Sequence, residues 1–144
     1  MSFNSDLAFG NIYEKKLVEL IPNESYLIKE GYFPDYDVEI TNNNIMVTYE
    51  VKADRYTYKT NNIAIEFEFN NSPSGIATTT SDFYAYFVIK PYNLFELYII
   101  PTNIIKSKIE EKEYKKILLG GDNKKSRLYI MDLNNFLEYK FKKD

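Results

Sequence analysis

The chain has 144 residues, with 18 Lys and Arg against 21 Asp and Glu for a net charge of −3, and it contains neither histidine nor cysteine. That length suits one domain with its own core, while the missing residues exclude disulfides, thiolate zinc sites, Ser-His-Asp and Cys-His catalysis and every His-ligated metal. Catalysis by such a chain has to rest on carboxylates, Lys, Tyr, Ser or Thr, with or without a hard metal ion. No apolar run is long enough to span a bilayer and the segment Met1 to Asp6 is polar, so the expectation is a cytoplasmic protein with no membrane partner.

From Phe9 to Ile21 the apolar residues Phe9, Ile12, Tyr13, Leu17, Leu20 and Ile21 follow the spacing of a helix with one buried stripe. Ser5 or Asp6 caps it, Pro22 stops it, and Glu14 lies at the margin of the stripe, either solvated or reaching a site beside the core. Asn23 to Tyr36 reads as a connection with an extended piece at Tyr26 to Ile28, ending in the turn-like Gly31, Tyr32, Phe33, Pro34.

Asp37 to Ala53 alternates as a hairpin does, with Asn42, Asn43 and Asn44 at its turn, because Asn tolerates positive φ. With Asn43 and Asn44 as the turn residues, Asp37 falls opposite Glu50 and Asp35 opposite Lys52; with Asn42 and Asn43, Asp35 falls opposite Glu50. Both registers give the same faces. One carries Asp37, Glu39, Thr41, Thr48, Glu50 and Lys52, with Met46 as an apolar intruder; the other, core-facing, carries Val38, Ile40, Ile45, Val47, Tyr49 and Val51. A third strand, Ile63 to Phe69, is expected to pair back on the second and bring Glu66 opposite Glu50. Like charges facing each other on a sheet are destabilising by roughly 0.2 to 1 kcal/mol per pair, so this acidic face calls for a cation. Lys52 supplies one charge, and Mg²⁺ or Mn²⁺ suits the oxygen ligands.

Asn70 to Ser81 is a polar segment read as a loop over one edge of the sheet, and Phe83 to Ile89 a strand buried on both faces. Leu94 to Ile100 is a further strand, and Thr102 or Asn103 caps a helix through Leu119, closed by Gly120 and Gly121. Arg127 to Met131 is extended and Leu133 to Phe141 a closing helix or tail. The order predicts an α/β domain over residues 1–144, a mixed central sheet with flanking helices. Tyr84 and Tyr86 read as core residues, and Ser74, Thr78, Thr79 and Thr80 as a plain polar loop.

Glu followed two residues on by Lys also occurs at Glu14, Glu110, Glu113 and Glu138, but in helical patterns, where residues two apart do not face each other. Glu50 and Lys52 alone are on a strand, about 6.5 Å apart, pointing the same way and faced by an aspartate. The pattern Pro34, Asp35, Tyr36, Asp37 followed after a hairpin by Glu50, Val51, Lys52 resembles the PD-(D/E)XK nuclease superfamily, over about Phe9 to Phe87. Asn62 to Glu66 and Ser74 to Asp82 also look like segments of phage-encoded members.

The resemblance implies a restriction endonuclease-like core and Mg²⁺-dependent (or Mn²⁺-dependent) hydrolysis of DNA phosphodiester bonds. Asp37 and Glu50 hold the metal, with the carbonyl of Val51 as third ligand and Asp35 as the alternate aspartate. Lys52 orients the attacking water, and Glu14 or Glu66 binds through water or supports a second ion. A homodimer acting on branched DNA, as junction resolvases do, belongs to the same expectation, with Lys124, Lys125 and Arg127, then Lys140, Lys142 and Lys143, as the candidate DNA-facing patch. Against it stand a non-catalytic binding module of the same fold and a merely solvated polar sheet face.

Overall fold

The structure, a computed structural model, describes residues 3–31, 33–120 and 124–142, with side chains from Gly10 onward. Helix α1 (Phe3–Leu20) starts ahead of Ser5 and Asp6, which therefore lie inside the helix rather than at its cap. Among its described side chains Tyr13, Leu17 and Val18 are buried, whereas Ile12 is 55% exposed and lies off the stripe; Phe9, expected in the stripe, is outside the described side chains. The Asn23 side-chain amide closes the helix by donating to the carbonyls of Val18 (2.8 Å) and Ile21 (2.9 Å), just beyond Pro22.

α1 packs on a five-stranded mixed sheet. Its first three strands, β1 (Ser25–Ile28), β2 (Val38–Asn42) and β3 (Ile45–Asp54), form an antiparallel meander. The β2-β3 turn is made by Asn43 (φ 51°) and Asn44 (φ 64°), and Asn42 pairs with Ile45, so the first of the two sequence registers is the one formed. Val38, Ile40 and Tyr49 are buried against α1, but Ile45, at the hairpin tip, is 66% exposed and takes no part in the core.

The expected third strand forms elsewhere. After a short helix α2 (Thr57–Thr60), Asn61 adopts a left-handed conformation (φ 59°) and turns the chain onto a second layer. There β4 (Asn62–Phe69) lies between β5 (Ser72–Pro73) and β9 (Ser126–Asp132), with β8 (Lys116–Gly120) beyond, in a four-stranded sheet ordered β5-β4-β9-β8. β4 keeps the predicted alternation through Ile63 and Ile65, which are buried, but a bulge between Glu66 and Glu68 interrupts it and leaves Phe69 exposed, and Glu66 is not in register with Glu50. Periodicity fixes which face of a strand is buried, not which strand it pairs with.

The place beside β3 goes to β6 (Phe83–Ile89), which runs parallel to it from Tyr49↔Phe83 to Asp54↔Val88 and pairs on its other edge with antiparallel β7 (Phe95–Pro101). β6 is buried on both faces as expected, with Ala85, Phe87 and Ile89 toward α1 and Tyr84, Tyr86 and Val88 toward the second sheet. That sheet covers the face where a helix was expected, so the central sheet has a helix on one side and a sheet on the other. Helix α3 (Thr102–Glu110) also ends early: Lys112 takes a positive φ of 58°, and residues 116–120 pair with β9 instead of continuing to Leu119 as helix. The ladder to β9 outweighs the helical propensity of the Glu- and Lys-rich stretch. A 3₁₀ segment at Leu133–Tyr139 closes the fold with Phe136 fully buried. No described helix is long and apolar enough to cross a membrane.

Candidate active site

The hairpin register carries Asp37 to Glu50. Asp37 N–H donates to the Tyr49 carbonyl (2.9 Å), extending the pairing one step beyond β2, and the Val51 N–H donates to Asp37 Oδ2 (2.8 Å). Glu50 is buried, with Oε2 3.6 Å from Lys52 Nζ and Oε1 accepting a long hydrogen bond from Thr79 Oγ1 (3.4 Å). Thr79 Oγ1 also lies 2.7 Å from the Asp35 carbonyl, which accepts from Thr80 N–H at 2.8 Å. Asp35 thus enters this network through its backbone, and Asp37 through its carboxylate.

Burial pushes the Glu50 carboxyl up to about 7; Lys52 pulls it back and Asp37 adds to the rise. Asp37 is raised by burial in the same way, opposed by Lys52 and by the Val51 amide. Glu14, half-buried on α1, is pushed up to about 7 by burial and then by the charges of Asp37 and Glu50, so the helix does bring it to this cluster. Lys52 shows the opposite balance: burial lowers it, but Glu50, Asp37 and Glu66 outweigh that and hold the ammonium above its ordinary value.

Glu66 acts on Lys52 through its charge, from the second sheet rather than from a neighbouring strand. Ser126 Oγ donates to its Oε1 (2.7 Å) and Ser74 Oγ to its Oε2 (3.0 Å), both serines being buried. Tyr84, paired in register with Glu50, is 1% exposed, and its buried hydroxyl has no hydrogen-bond partner among the described residues. Burial and the charges of Glu50, Asp37 and Glu66 all disfavour its ionisation. Tyr86, two residues on and facing the same way, is fully engaged: its hydroxyl donates to Asp54 Oδ2 (2.6 Å) and accepts from Ala64 N–H (3.0 Å).

A cavity of about 550 Å³ opens between α1 and the end of β1, lined by Glu14 and Asp37 together with Lys15 and Lys29. Lys29 lies 3.6 Å from Glu39 and over the rings of Phe33 and Tyr36, 4.7 and 5.4 Å from their centroids. The predicted basic residues lie elsewhere. Lys124 and Lys125 are exposed beside β9, and Arg127 on β9 points to Glu68 (3.9 Å). Lys140 pairs with Glu96 (3.3 Å), Lys142 is exposed, and Lys143 is outside the described residues.

Thr79, Tyr84, Ser74, Ser126, Lys15 and Lys29 were not legible as site residues. Thr79 and Ser74 looked like loop hydroxyls and Tyr84 like core, and only the stacking of the two sheets assigns them partners. Among the described residues, no group of three or more acidic side chains stands close enough to enclose a metal ion unaided. No family model, no curated protein and no solved structure matches this chain significantly.

Proposed function

We propose that the chain is a divalent-metal-dependent phosphodiesterase that cuts DNA at the Asp37, Glu50 and Lys52 cluster. The observation that carries this reading is the excess of desolvated carboxylate: Glu14 and Glu50 pushed up to about 7, Asp37 raised beside them, and one ammonium ion-paired to Glu50. What supports the expected core is limited to the α/β layering, with a helix carrying Glu14 packed on a mixed sheet that holds the Asp37 and Glu50 hairpin. The departures are the third strand of the expected meander, Ile63 to Phe69, which pairs in a second sheet, and that sheet itself, which lies where a helix was expected.

The donor set fits Mg²⁺ or Mn²⁺. Mg²⁺ is usually held by one or two carboxylates, with waters and substrate phosphate completing the shell rather than a cage of side chains. Asp37 and Glu50 would hold the ion, with the Val51 carbonyl as a third oxygen. When bound, such an ion stabilises charge on the phosphoryl oxygens and makes its water easier to deprotonate. Lys52, held as an ammonium, does not accept a proton; it places fixed positive charge where negative charge develops on the phosphate and orients the attacking water. Glu66 and its two serines keep Lys52 charged from the far side. Glu14, with a pKa near 7, is able to hold or release a proton at neutral pH beside the same cavity. In its finer form the proposal is a homodimer acting on branched DNA, since two symmetric cuts are simplest with two-fold symmetry.

The test is Mg²⁺- and Mn²⁺-dependent cleavage of branched, single-stranded and linear duplex DNA. Lys52→Ala and Glu50→Gln are expected to lose activity about a hundredfold or more. Undiminished cleavage by both variants overturns the site. Absence of cleavage on every substrate, together with metal-independent DNA binding, replaces it with a binding module.

A further inference from the structure

Two residues beyond Lys52, β3 ends at Asp54, whose carboxylate accepts the N–H groups of Tyr56 (2.7 Å) and Thr57 (3.2 Å) and so fixes the start of α2. Beside this turn lies the tight connection between β6 and β7, at the same end of the sheet because β6 runs parallel to β3. Between the two turns is a cavity of about 380 Å³, lined by Tyr56, Tyr58 and Tyr92 with Arg55, Lys59 and Lys90 and by no carboxylate. Tyr56 is 76% exposed and Tyr92 94%, so neither ring contributes much to the core.

Tyr92 is in an unfavourable conformation for its residue type. It has φ 64° and ψ 28°, followed by Asn93 at φ 59°, in a two-residue turn that Asn and Gly fill without strain. A bulky residue with positive φ is an outlier, and an outlier whose side chain stands in solvent has no packing reason to persist. Lys90 pairs with Glu96, which Lys140 also approaches, and Lys59 Nζ lies 5.7 Å from the centre of the Tyr58 ring. Exposed rings among cations are the chemistry of unpaired nucleic acid: bases stack on the rings and phosphates meet the charges. Duplex bases, already stacked, cannot use the rings.

We infer that Tyr56, Tyr58 and Tyr92, with Arg55 and Lys59, form a binding site for an unpaired DNA strand. Three residues of chain, at most roughly 10 Å, separate Lys52 from Arg55, so a DNA strand held here runs within a few nucleotides of the carboxylate cluster. The inference rests on the nuclease reading only for what happens at the other end of that strand. The site selects DNA with a single-stranded arm.

Binding of a fluorescein-labelled oligothymidine and of a duplex of equal length, followed by anisotropy in EDTA, tests it with the full chain. Tyr56→Ala and Tyr92→Asn are expected to weaken oligothymidine binding about tenfold each while changing duplex binding less than about twofold. Tyr92→Asn is expected to keep or raise the melting temperature, which separates a lost ring from a damaged fold. Unchanged oligothymidine affinity in both variants, or equal loss on both DNAs, overturns the inference. Because the assay contains no metal and reads no cleavage, loss of the rings' effect and failure of the carboxylate site are distinguishable: Glu50→Gln is expected to bind oligothymidine at least as well as the unaltered chain.

Discussion

Asp35 and Asp37 are two residues apart and the hairpin turn gives them different surroundings. Because Asn43 and Asn44 make the turn, Asp37 pairs through its backbone with Tyr49 and its carboxylate accepts from the Val51 amide, while Asp35 contributes its carbonyl to Thr79 and Thr80. Asp37→Asn is therefore expected to weaken Mn²⁺ binding by roughly tenfold or more, read by titration of the paramagnetic signal, and Asp35→Asn to leave it unchanged. Tyr84 gives a second residue-scale prediction. Its hydroxyl is buried without a partner among the described residues, and such a group costs about 1–3 kcal/mol of desolvation. Tyr84→Phe is expected to keep or increase stability of the metal-free protein in urea denaturation; the corresponding change at Tyr86, which breaks two hydrogen bonds, is expected to lower it.

Among the elements, the crossover from β4 to β6 sets the second half of the site. It begins with the β4-β5 hairpin, whose turn residues Asn70 and Asn71 have φ of 50° and 66°, and passes through Gly75 at φ 53°. A Cβ at Gly75 would stand 2.2 Å from the Glu66 carbonyl oxygen, so the loop touches the backbone of the residue that steadies Lys52. Gly75→Ala is expected to destabilise by about 2 kcal/mol or more, from the positive φ and the clash together, checked by the urea midpoint. The same loop delivers Ser74 to Glu66 and Thr79 to Glu50, which ties the two sheets to one cluster.

For the whole molecule, the buried acids make stability depend on pH in an unusual sense. Glu14 and Glu50 titrate near 7 in the folded chain against an ordinary 4.5. Below that ordinary value both states hold the protons and nothing is lost. Between about 4.5 and 7 the unfolded chain releases protons that the folded one keeps, so stability falls as pH rises, and above 7 the loss is complete. Asp37, also raised, acts in the same direction, whereas Glu96 is held below its ordinary value, chiefly by the Lys90 hydrogen bond, and acts only at lower pH. The metal-free protein is expected to melt at higher temperature at pH 5.5 than at pH 8. Glu50→Gln should remove much of the slope, on the order of 2–3 kcal/mol, and Mg²⁺ or Mn²⁺ should restore stability at pH 8 by binding the ionised carboxylates.

Local rules in the sequence determined the hairpin and its faces but left its register open, and with it the choice between Asp35 and Asp37. A period of two sorts side chains without reference to the rest of the fold, and an Asn run marks a turn without saying which two residues make it; the fully apolar β6 is likewise legible from its own residues. The tertiary structure decided everything that depends on which strand meets which. β4 has the alternation of a neighbour of β3 but joins another sheet, the Glu- and Lys-rich stretch after α3 gives up helix for a ladder, and Glu66 acts on Lys52 by its charge from the other layer. Burial of Glu50 and of the Tyr84 hydroxyl likewise arises only when the second sheet and its loop close over the first, and that of Glu14 when α1 packs on the central sheet. Desolvation is a property of the surroundings, and no spacing of residues along the chain encodes it.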